Sequence, residues 1–455
     1  MPDCCSDFSR SQILRAAAAR AGQGLPAIEP GMPTPAGTGL TRRSFVLRSA
    51  GLAMSVYGAS KLGLGAFEEG VARAATAPGQ RVLVSVFMPG GVDSMSLLAP
   101  VGDPKYAQYR PTLALDGSST TPFAEDNTMH WHPSAAPLAT LHGEGKVTVL
   151  PAIGYDHPDQ SHFTSRHYWE VGALDANANY GWMGRYLDRV GDPDNPLQGL
   201  SLDWNLAPAL AAQNVPVAAV DDPSDYSFWV PGVDDPVQQP MLRAIGALGQ
   251  LPAPDAAFRE ARAVASRVDK LRTQLEPLGK DGKPTYTIPV TYPSGEFGKR
   301  LAALAAMVAG DLPLRCVAIT APGSYDTHSN QVDSLTKGLQ QTCDGLLAFQ
   351  RDLEARGIAD RVIVNVWSEF GRRPQENGSG TDHGAAGSAF VIGARAKGQM
   401  VGQFPGLATL DAQQNLRSTA DFRALYCGLL EQWLGTDAAD VIPGASAFTR
   451  PTLVK

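Results

Sequence analysis

The sequence is poor in cysteine, which limits the covalent frameworks available to it. Only five of its 455 residues are cysteines, and two of these, Cys4 and Cys5, lie near the amino terminus. Cys316, Cys343 and Cys427 remain, an odd and sparse set that excludes a disulfide framework. Cys316 falls in an apolar strand-like run and Cys343 on the apolar face of a helix-like segment. We therefore expect both thiols to be buried rather than redox-active.

The sequence also lacks the motifs of nucleotide-using enzymes. No Gly-x-Gly-x-x-Gly turn follows a strand-like run, which argues against a nucleotide-dependent oxidoreductase. The pair Gly90-Gly91 is similar to a phosphate-cradling loop, but no Lys-Ser/Thr follows it. A nucleotide-binding function is therefore disfavoured.

The amino-terminal segment is typical of an export signal rather than of a folded domain. Residues 1–40 include the stretch QGLPAIEPGMPTPAGTG and are expected to be disordered. Residues 41–74 place Arg42-Arg43 ahead of Ser-Phe, a weakly apolar run and the small-residue stretch ARAATA. This order predicts a twin-arginine signal that is cut near Ala74. The apolar run is short and rich in Gly and Ser, so cleavage is favoured over an uncleaved membrane anchor.

Removing residues 1–74 makes the charge of the chain more negative. The segment carries eight basic and five acidic residues of the totals of 38 and 45, which leaves 30 basic and 40 acidic residues and a net charge of −10. Such a surplus of acidic residues disfavours nucleic acid as a partner. The predicted twin-arginine signal, rather than this charge, leads us to expect a periplasmic, cell-envelope or extracellular protein.

From residue 75 onward the sequence predicts an α/β fold. Short, nearly continuous apolar runs alternate with amphipathic helices and with loops rich in Gly and Pro, which is typical of strands buried on both faces of a mostly parallel sheet. The runs are VLVSVFM, VTVLPA, PVAAV, CVAITA, VIVNVW and AFVIG.

One strand–helix–strand unit is especially clear. A strand ends at Ala321, a helix spans about Val332 to Arg356 before Gly357, and the strand VIVNVW follows, so this unit is a βαβ crossover. The region of about 202–292 is rich in Pro and Asp and has one clear helix near Ala256 to Leu275, and is interpreted as an insertion or cap.

Potential metal ligands follow several of the predicted strands. Asp93 follows the first strand, Asp326 and His328 follow CVAITA, and Glu369, Asp382 and His383 follow VIVNVW. The carboxyl ends of parallel strands meet at one edge of a sheet, so these residues are expected to converge. Carboxylates with imidazoles suit zinc, manganese or a similar divalent ion, and such an ion can polarise an ester oxygen.

Each of these residues also has a simpler interpretation. Asp326 is placed to cap a helix from a turn, and Asp382-His383-Gly384 is also typical of a turn with a surface histidine. Glu369 is expected to be buried, where a salt bridge with Arg372 or Arg373 is the alternative to a metal. Ser161 is either a helix N-cap or a nucleophile presented at a helix N-terminus.

The histidines of MHWHP are a further pair that invites a metal interpretation. His130 and His132 precede a proline at a helix start instead of following a core strand. Packing or capping roles are therefore favoured for both.

The sequence resembles a family of exported bacterial proteins, the family labelled domain of unknown function 1501. The resemblance lies in TRRSF, PGGVDSMSLLAP, YAQYRPTLAL, SHFTSRHYWEVG, GSYDTHSNQ, SEFGRRPQENGSGTDHG and FVIG, which together span nearly all of residues 75–455 in order. The family belongs to the alkaline phosphatase and sulfatase-like superfamily. The resemblance implies an alkaline-phosphatase-like sandwich, with a central mostly parallel sheet flanked by helices.

The resemblance also implies roles for particular residues. Asp93 corresponds to the carboxylate after the first strand, Ser161 to the helix-start nucleophile with Thr164 as second choice, and Asp326 with His328 to a ligand pair. Phosphatases end the following strand in an adjacent Asp-His pair, where this chain has Ser368-Glu369, while His383 corresponds to a later histidine. This departure implies one or two divalent ions, with zinc, manganese and calcium as candidates.

Two functions are consistent with these observations. The first is an exported metal-dependent hydrolase of phosphate or sulfate esters, with a small-molecule or polymer substrate and with Ser161 or a water as the attacking group. The alternative is a non-catalytic cell-envelope protein that keeps the fold and binds a partner. Family members are often encoded beside another exported protein, which implies such a protein as a partner.

Overall fold

The computed structural model describes residues 80–226, 235–252, 256–280 and 282–455. The predicted leader, residues 1–40, and the predicted twin-arginine signal, residues 41–74, lie outside the described residues, so both remain predictions.

The described residues contain fifteen strands. In chain order they are β1 (Val82–Phe87), β2 (Leu98–Ala99), β3 (Thr121–Pro122), β4 (His130–Trp131), β5 (Val147–Gly154), β6 (Gly199–Ser201), β7 (Ala218–Ala219), β8 (Gly279–Lys280), β9 (Lys283–Pro284), β10 (Cys316–Thr320), β11 (Val362–Trp367), β12 (Arg372–Glu376), β13 (Thr381–His383), β14 (Gly387–Ile392) and β15 (Ala420–Asp421).

Ten α-helices accompany these strands in the described part of the chain. They are α1 (Ser94–Leu97), α2 (Tyr106–Tyr109), α3 (Ala136–Gly143), α4 (His162–Val171), α5 (Trp182–Val190), α6 (Asp235–Gly249), α7 (Ala256–Leu275), α8 (Glu296–Ala309), α9 (Gln331–Ala355) and α10 (Phe422–Gly428). The helix predicted near Ala256 to Leu275 is confirmed as α7.

Eight strands form the central sheet in the order β15-β5-β14-β11-β1-β10-β6-β7. All six runs predicted as strands contribute to it, as β1, β5, β7, β10, β11 and β14. Every neighbouring pair is parallel except those that β14 makes with β11 and with β5. The predicted fold class, an α/β fold with a mostly parallel sheet flanked by helices, is confirmed.

The sheet is buried on both faces because its strands are apolar at successive positions. Along β1, Val84 and Val86 pack into the hydrophobic cluster that includes Leu339 of α9, and Leu83 packs into the cluster on the opposite face with Trp169 of α4. All six residues of β1 are buried. Helices therefore cover each face of the sheet, as expected where continuous apolar strands replace alternating ones.

The order of the strands determines which loops meet. The predicted βαβ unit is formed by β10, α9 and β11, and β1 lies between the two strands and runs parallel to both. The carboxyl ends of β1, β5, β10 and β11 therefore lie along one edge of the sheet. Because β14 is antiparallel to β11 and β5, its amino end, which follows β13, lies at that same edge.

The region of 202–292 combines part of the sheet with two long helices. Ala218–Ala219 is the edge strand β7, and α6 and α7 follow it before the short β8–β9 hairpin. The interpretation of this region as an insertion or cap stays a prediction.

The burial of the cysteines and the character of the helices can be compared with the sequence. Cys316 and Cys343 are buried and unpaired, as predicted, and Cys427 is as well. None of the helices that the structure describes combines the length and the apolar character needed to span a bilayer.

Candidate metal centre

Three side chains from separate loops converge at the carboxyl edge of the sheet. His162 begins α4, Asp326 lies between β10 and α9, and His383 ends β13. One ligand atom from each lies within 4.8 Å of the other two, and each residue is half-buried. The convergence predicted for Asp326 and His383 is therefore observed, with His162 as a third member.

His328 lies beside this group and brings a third imidazole to it. Its Nε2 atom is 3.1 Å from Oδ1 of Asp326 and 2.9 Å from Nε2 of His383. Nε2 of His383 is 3.2 Å from the same Asp326 oxygen, and Nε2 of His162 is 3.4 Å from Oδ2 of Asp326. Ligand atoms bound to one tetrahedral zinc ion at 2.0–2.1 Å lie about 3.3 Å apart. The observed spacing fits a divalent ion.

All three imidazoles are oriented by acceptors on their other ring nitrogen. Nδ1 of His162 is 2.8 Å from Oε1 of Glu369, and Nδ1 of His383 is 2.8 Å from the backbone oxygen of Gln160. Nδ1 of His328 is 3.2 Å from Oδ1 of Asp382. A carbonyl or carboxylate oxygen can only accept, so each Nδ1 is the donor. A neutral ring then carries its lone pair on Nε2, the atom that faces Asp326, an arrangement typical of metal-ligating histidines.

The Nε2 atom of His162 is buried and has no hydrogen-bond partner. Its 3.4 Å approach to Asp326 does not have hydrogen-bond geometry, and an unpaired buried nitrogen is costly. Burial lowers the pKa of His162, but the carboxylates of Asp326 and Glu369 outweigh that effect and raise its pKa to about 9. The two carboxylates therefore favour a positive charge at Nε2 of His162, which a proton supplies when no metal is bound.

Glu369 was predicted as a metal ligand, but both of its carboxylate oxygens are engaged in hydrogen bonds with other groups. The carboxylate is 2% exposed and accepts from the backbone N–H groups of Gly90 and Gly91 at 2.9 and 3.1 Å. The hydroxyl of Ser368 donates to it at 2.9 Å, and His162 is its fourth partner. Burial raises its pKa, but His162 and these donors hold the pKa below its ordinary value. Glu369 orients the ring of His162 instead of facing the group of His162, Asp326 and His383.

The turn that positions Glu369 requires glycine. Gly90 has a φ of 112°, and a Cβ atom there would lie 2.4 Å from the backbone nitrogen of Asp326. Only glycine adopts this conformation without strain and leaves room for the loop that carries Asp326.

Asp326 is stabilised as a carboxylate by a buried arginine. Nη2 of Arg372 lies 2.6 Å from Oδ1 of Asp326, and Arg372 is fully buried. The same guanidinium donates to the backbone oxygens of Gly91 and Thr381 at 2.8 Å. Burial raises the pKa of Asp326, whereas the histidines and Arg372 lower it well below its usual range. The predicted alternative of a salt bridge from Arg372 to Glu369 is thus replaced by one to Asp326.

Asp93, predicted as a metal ligand, lies in a separate buried cluster. It is fully buried and pairs with the guanidinium of Arg110, with Nη2 2.8 Å from Oδ1. Ser96 donates to Asp93 at 2.6 Å, and Gln331 donates as well. Both oxygens of Asp93 are therefore engaged. Its ion pair with Arg110 links the loop after β1 to the end of α2, and Asp93 is not part of the group of His162, Asp326 and His383.

The predicted nucleophiles lie at the start of α4. Oγ of Ser161 accepts a hydrogen bond from the backbone nitrogen of Phe163 at 3.3 Å, so Ser161 is the N-cap. Thr164 lies within the first turn of α4 and is half-buried. The catalytic roles of both residues remain predictions.

Asp382 is exposed and contacts Nδ1 of His328, while the amide of Asn377 donates to it at 3.0 Å. Like Glu369, it orients a histidine.

The predicted capping role of His132 is confirmed, because its Nδ1 accepts from the backbone N–H of Ser134 at 3.0 Å.

Sequence analysis did not assign His162 as a metal ligand, predicted Arg372 only as an alternative ion-pair partner of Glu369, and did not single out Gln160. His162 has a signal in the sequence, because three histidines, His157, His162 and His167, follow the strand-like run VTVLPA within a short segment. Gln160 contributes a backbone oxygen, which no residue pattern could have identified, and only the structure shows that Arg372 of β12 pairs with Asp326.

A family profile described as "Protein of unknown function (DUF1501)" matches residues 251–439. This range includes Asp326, His328 and His383 but not His162. No curated protein matches the sequence.

The structure is similar to several solved structures of low sequence identity. A protein in the alkaline phosphatase superfamily from Vibrio parahaemolyticus is 10% identical, with 82% of this chain and 72% of that chain covered and a TM-score of 0.36. The PsFucS1 sulfatase from Pseudoalteromonas sp. is 9% identical, with 77% and 67% covered and a TM-score of 0.33. The phosphonate monoester hydrolase SpPMH from Silicibacter pomeroyi is 11% identical, with 80% and 75% covered and a TM-score of 0.33.

Proposed function

We propose that this protein, whose residues 251–439 belong to the DUF1501 family, is an exported metal-dependent hydrolase of phosphate or sulfate esters. One observation carries the metal: three imidazoles, each held at Nδ1 by an acceptor, direct Nε2 towards the carboxylate of Asp326. The reaction class is supported by the sequence resemblance to the alkaline phosphatase and sulfatase-like superfamily.

The donor set favours zinc or manganese over calcium. The ligand atoms are imidazole nitrogens and one carboxylate, and calcium prefers six to eight oxygen ligands. Asp93 and Glu369, the two carboxylates that could have enriched the set in oxygen, are engaged elsewhere. We propose one ion held by His162, Asp326 and His383, with His328 as an additional ligand.

Several residues prepare this centre for chemistry. Glu369 and the Gln160 oxygen fix the ring orientations of His162 and His383, and Arg372 balances the charge of Asp326. A divalent ion here would act as a Lewis acid on an ester oxygen. Because the oxygen of Ser161 caps α4, attack by water is favoured over attack by Ser161.

The test is metal analysis of the purified full-length protein together with ester hydrolysis. Elemental mass spectrometry is expected to find about one divalent ion per chain. Hydrolysis of aryl phosphate or aryl sulfate is expected to stop after chelation and to return with zinc or manganese. Protein without any divalent ion would contradict the proposal. Bound metal without turnover across a broad ester panel would favour the non-catalytic envelope protein.

Glu369→Gln is expected to weaken metal binding about 10–100-fold without abolishing it, the usual effect of losing a group that orients a ligand. The amide keeps the shape of the side chain, but its nitrogen cannot accept from Gly90, Gly91 or His162. Competition with a chelating dye measures the change in affinity. Ser161→Ala serves as the control, because it alters the same edge of the sheet without changing an imidazole contact. Complete loss of the metal in Glu369→Gln would instead make Glu369 a direct ligand.

A further inference from the structure

A cavity of about 530 Å³ lies beside α7, and its lining is strongly basic. Among the lining residues that the structure describes, four are cationic, Arg259, Arg262, Arg267 and Lys270, and Asp194 is the one carboxylate. The four cations lie at positions i, i+3, i+8 and i+11 of α7, so helical periodicity places them along one face. The end of α6 and the chain that follows it, with Leu251 and Pro252, form another wall.

Three of these cations have contacts with described residues. Nζ of Lys270 donates to the backbone oxygen of Asp194 at 2.7 Å, and Arg262 donates to the backbone oxygen of Pro252. Nη1 of Arg267 is 3.6 Å from Oε1 of Glu260.

Helix α6 supplies a further negative contribution. It ends at Gly249, which packs against Ser266 of α7, and a helix C-terminus carries about half a negative charge. Among the described residues that line the cavity, four cationic side chains therefore accompany one carboxylate, that of Asp194.

The positions of the arginines suit them to anion recognition. Arg267 is only 5% exposed, and burial lowers its pKa to about 10, so its charge is held in a poorly solvated place. The guanidinium of Arg262 lies over the ring of Phe258, 4.6 Å from the ring centre, which limits its freedom. Arg259 is exposed at the cavity. Guanidinium groups bind tetrahedral oxyanions by paired, charge-assisted hydrogen bonds.

We propose that this cavity binds a small oxyanion with at least two negative charges, carried on phosphate or sulfate groups. The site lies between α6, α7 and the loop of Asp194, and it shares no residue with the candidate metal centre. It therefore does not depend on the proposed hydrolase activity.

The experiment is titration calorimetry of the full-length protein with inorganic pyrophosphate and, separately, with inorganic sulfate. Saturable binding of either anion is expected, and the tighter binder identifies the preferred group. Arg259→Gln is expected to weaken that binding about tenfold or more, since hydrogen bonds to charged groups are lost. Because Arg259 is exposed, the substitution should leave the melting temperature unchanged. Lys270→Gln, on the opposite end of the stripe, is expected to weaken binding in the same way.

Two controls test whether the anion binds at this cavity. Arg243→Gln removes an exposed arginine of α6 that does not line the cavity, and it should bind as the unaltered protein does. The variant His162→Ala, His383→Ala lacks the imidazoles of the metal centre and should also bind normally. Absence of saturable binding to both anions, equal loss in Arg243→Gln, or loss in the histidine variant would each overturn the proposal.

Discussion

The double variant His162→Ala, His383→Ala is expected to lose its divalent ion entirely while keeping its fold. Each substitution removes one Nε2 atom from the group around Asp326, and the two remaining candidates, Asp326 and His328, cannot complete a four-coordinate site. The loss should exceed the roughly 10–100-fold weakening that changes to orienting groups cause. Elemental mass spectrometry of the purified variant measures it directly, and ester hydrolysis should disappear with the metal.

His167→Ala is the matched control for this variant. His167 lies on α4 as well, five positions after His162, and its Nε2 atom contacts the backbone oxygen of Asp175 at 3.1 Å. This control should retain metal and activity. Both variants should unfold at similar temperatures once metal has been removed from all samples. Full metal content in the double variant would place the ion elsewhere and contradict the proposed centre.

Arg110→Met is expected to destabilise the protein by about 3–5 kcal/mol, because it leaves the carboxylate of Asp93 buried and unpaired. Neither side chain is exposed, and Arg110 also donates to the backbone oxygens of Pro374 and Arg373 at 3.0 and 3.1 Å. Methionine fills a similar volume, so loss of packing contributes little. The free energy of unfolding in denaturant, measured on metal-free protein, gives the difference.

A surface pair provides the comparison for Arg110→Met. Arg189 and Asp440 form an ion pair with side chains 59% and 40% exposed, and Arg189→Met should cost less than about 1 kcal/mol. Equal effects of the two substitutions would show that burial does not strengthen the Asp93–Arg110 pair.

The effect of Arg110→Met should also depend on pH. Burial raises the pKa of Asp93, but Arg110 and the hydrogen bonds from Ser96 and Gln331 hold that pKa below its ordinary value of 3.8. The stabilisation is therefore fully present above the unfolded pKa and is lost as the pH falls through the folded pKa. In Arg110→Met, burial without the arginine raises the pKa of Asp93, so the variant takes up a proton and gains stability as the pH falls. The difference in stability between the unaltered protein and Arg110→Met should therefore shrink steadily towards low pH. A difference that stays constant down to about pH 2 would contradict this assignment.

The sequence predicted the strands and helices that are strongly apolar or strongly periodic. The six runs from VLVSVFM to AFVIG are all in the central sheet, and α7 has the predicted bounds, because these segments are specified by local pattern. The sequence did not predict β6 or β15, which have three and two residues and pair only because longer neighbours offer an edge. Segments this short carry too little pattern to be recognised.

The residues of the candidate site divide in the same way. Asp326, His328 and His383 were predicted because each follows a recognisable strand, and loops that follow parallel strands converge. The predicted reason for His383 was incomplete, since its place at the edge also depends on β14 running antiparallel. His162 follows VTVLPA, the strand β5, whose carboxyl end lies at the same edge, but only the structure shows that its ring faces Asp326 and His383.

The sequence by itself determined the chemistry that is available at the edge of the sheet, namely which imidazoles and carboxylates stand in its loops. Only the tertiary structure decided which of these groups face one another. Glu369 and Asp93 show the difference, because either carboxylate could hold a metal. Each is instead saturated by donors from segments distant in sequence, Gly90 and His162 for Glu369 and Arg110 and Gln331 for Asp93. Whether a buried carboxylate binds a metal depends on its complete set of partners, and those partners are assembled only when the chain folds.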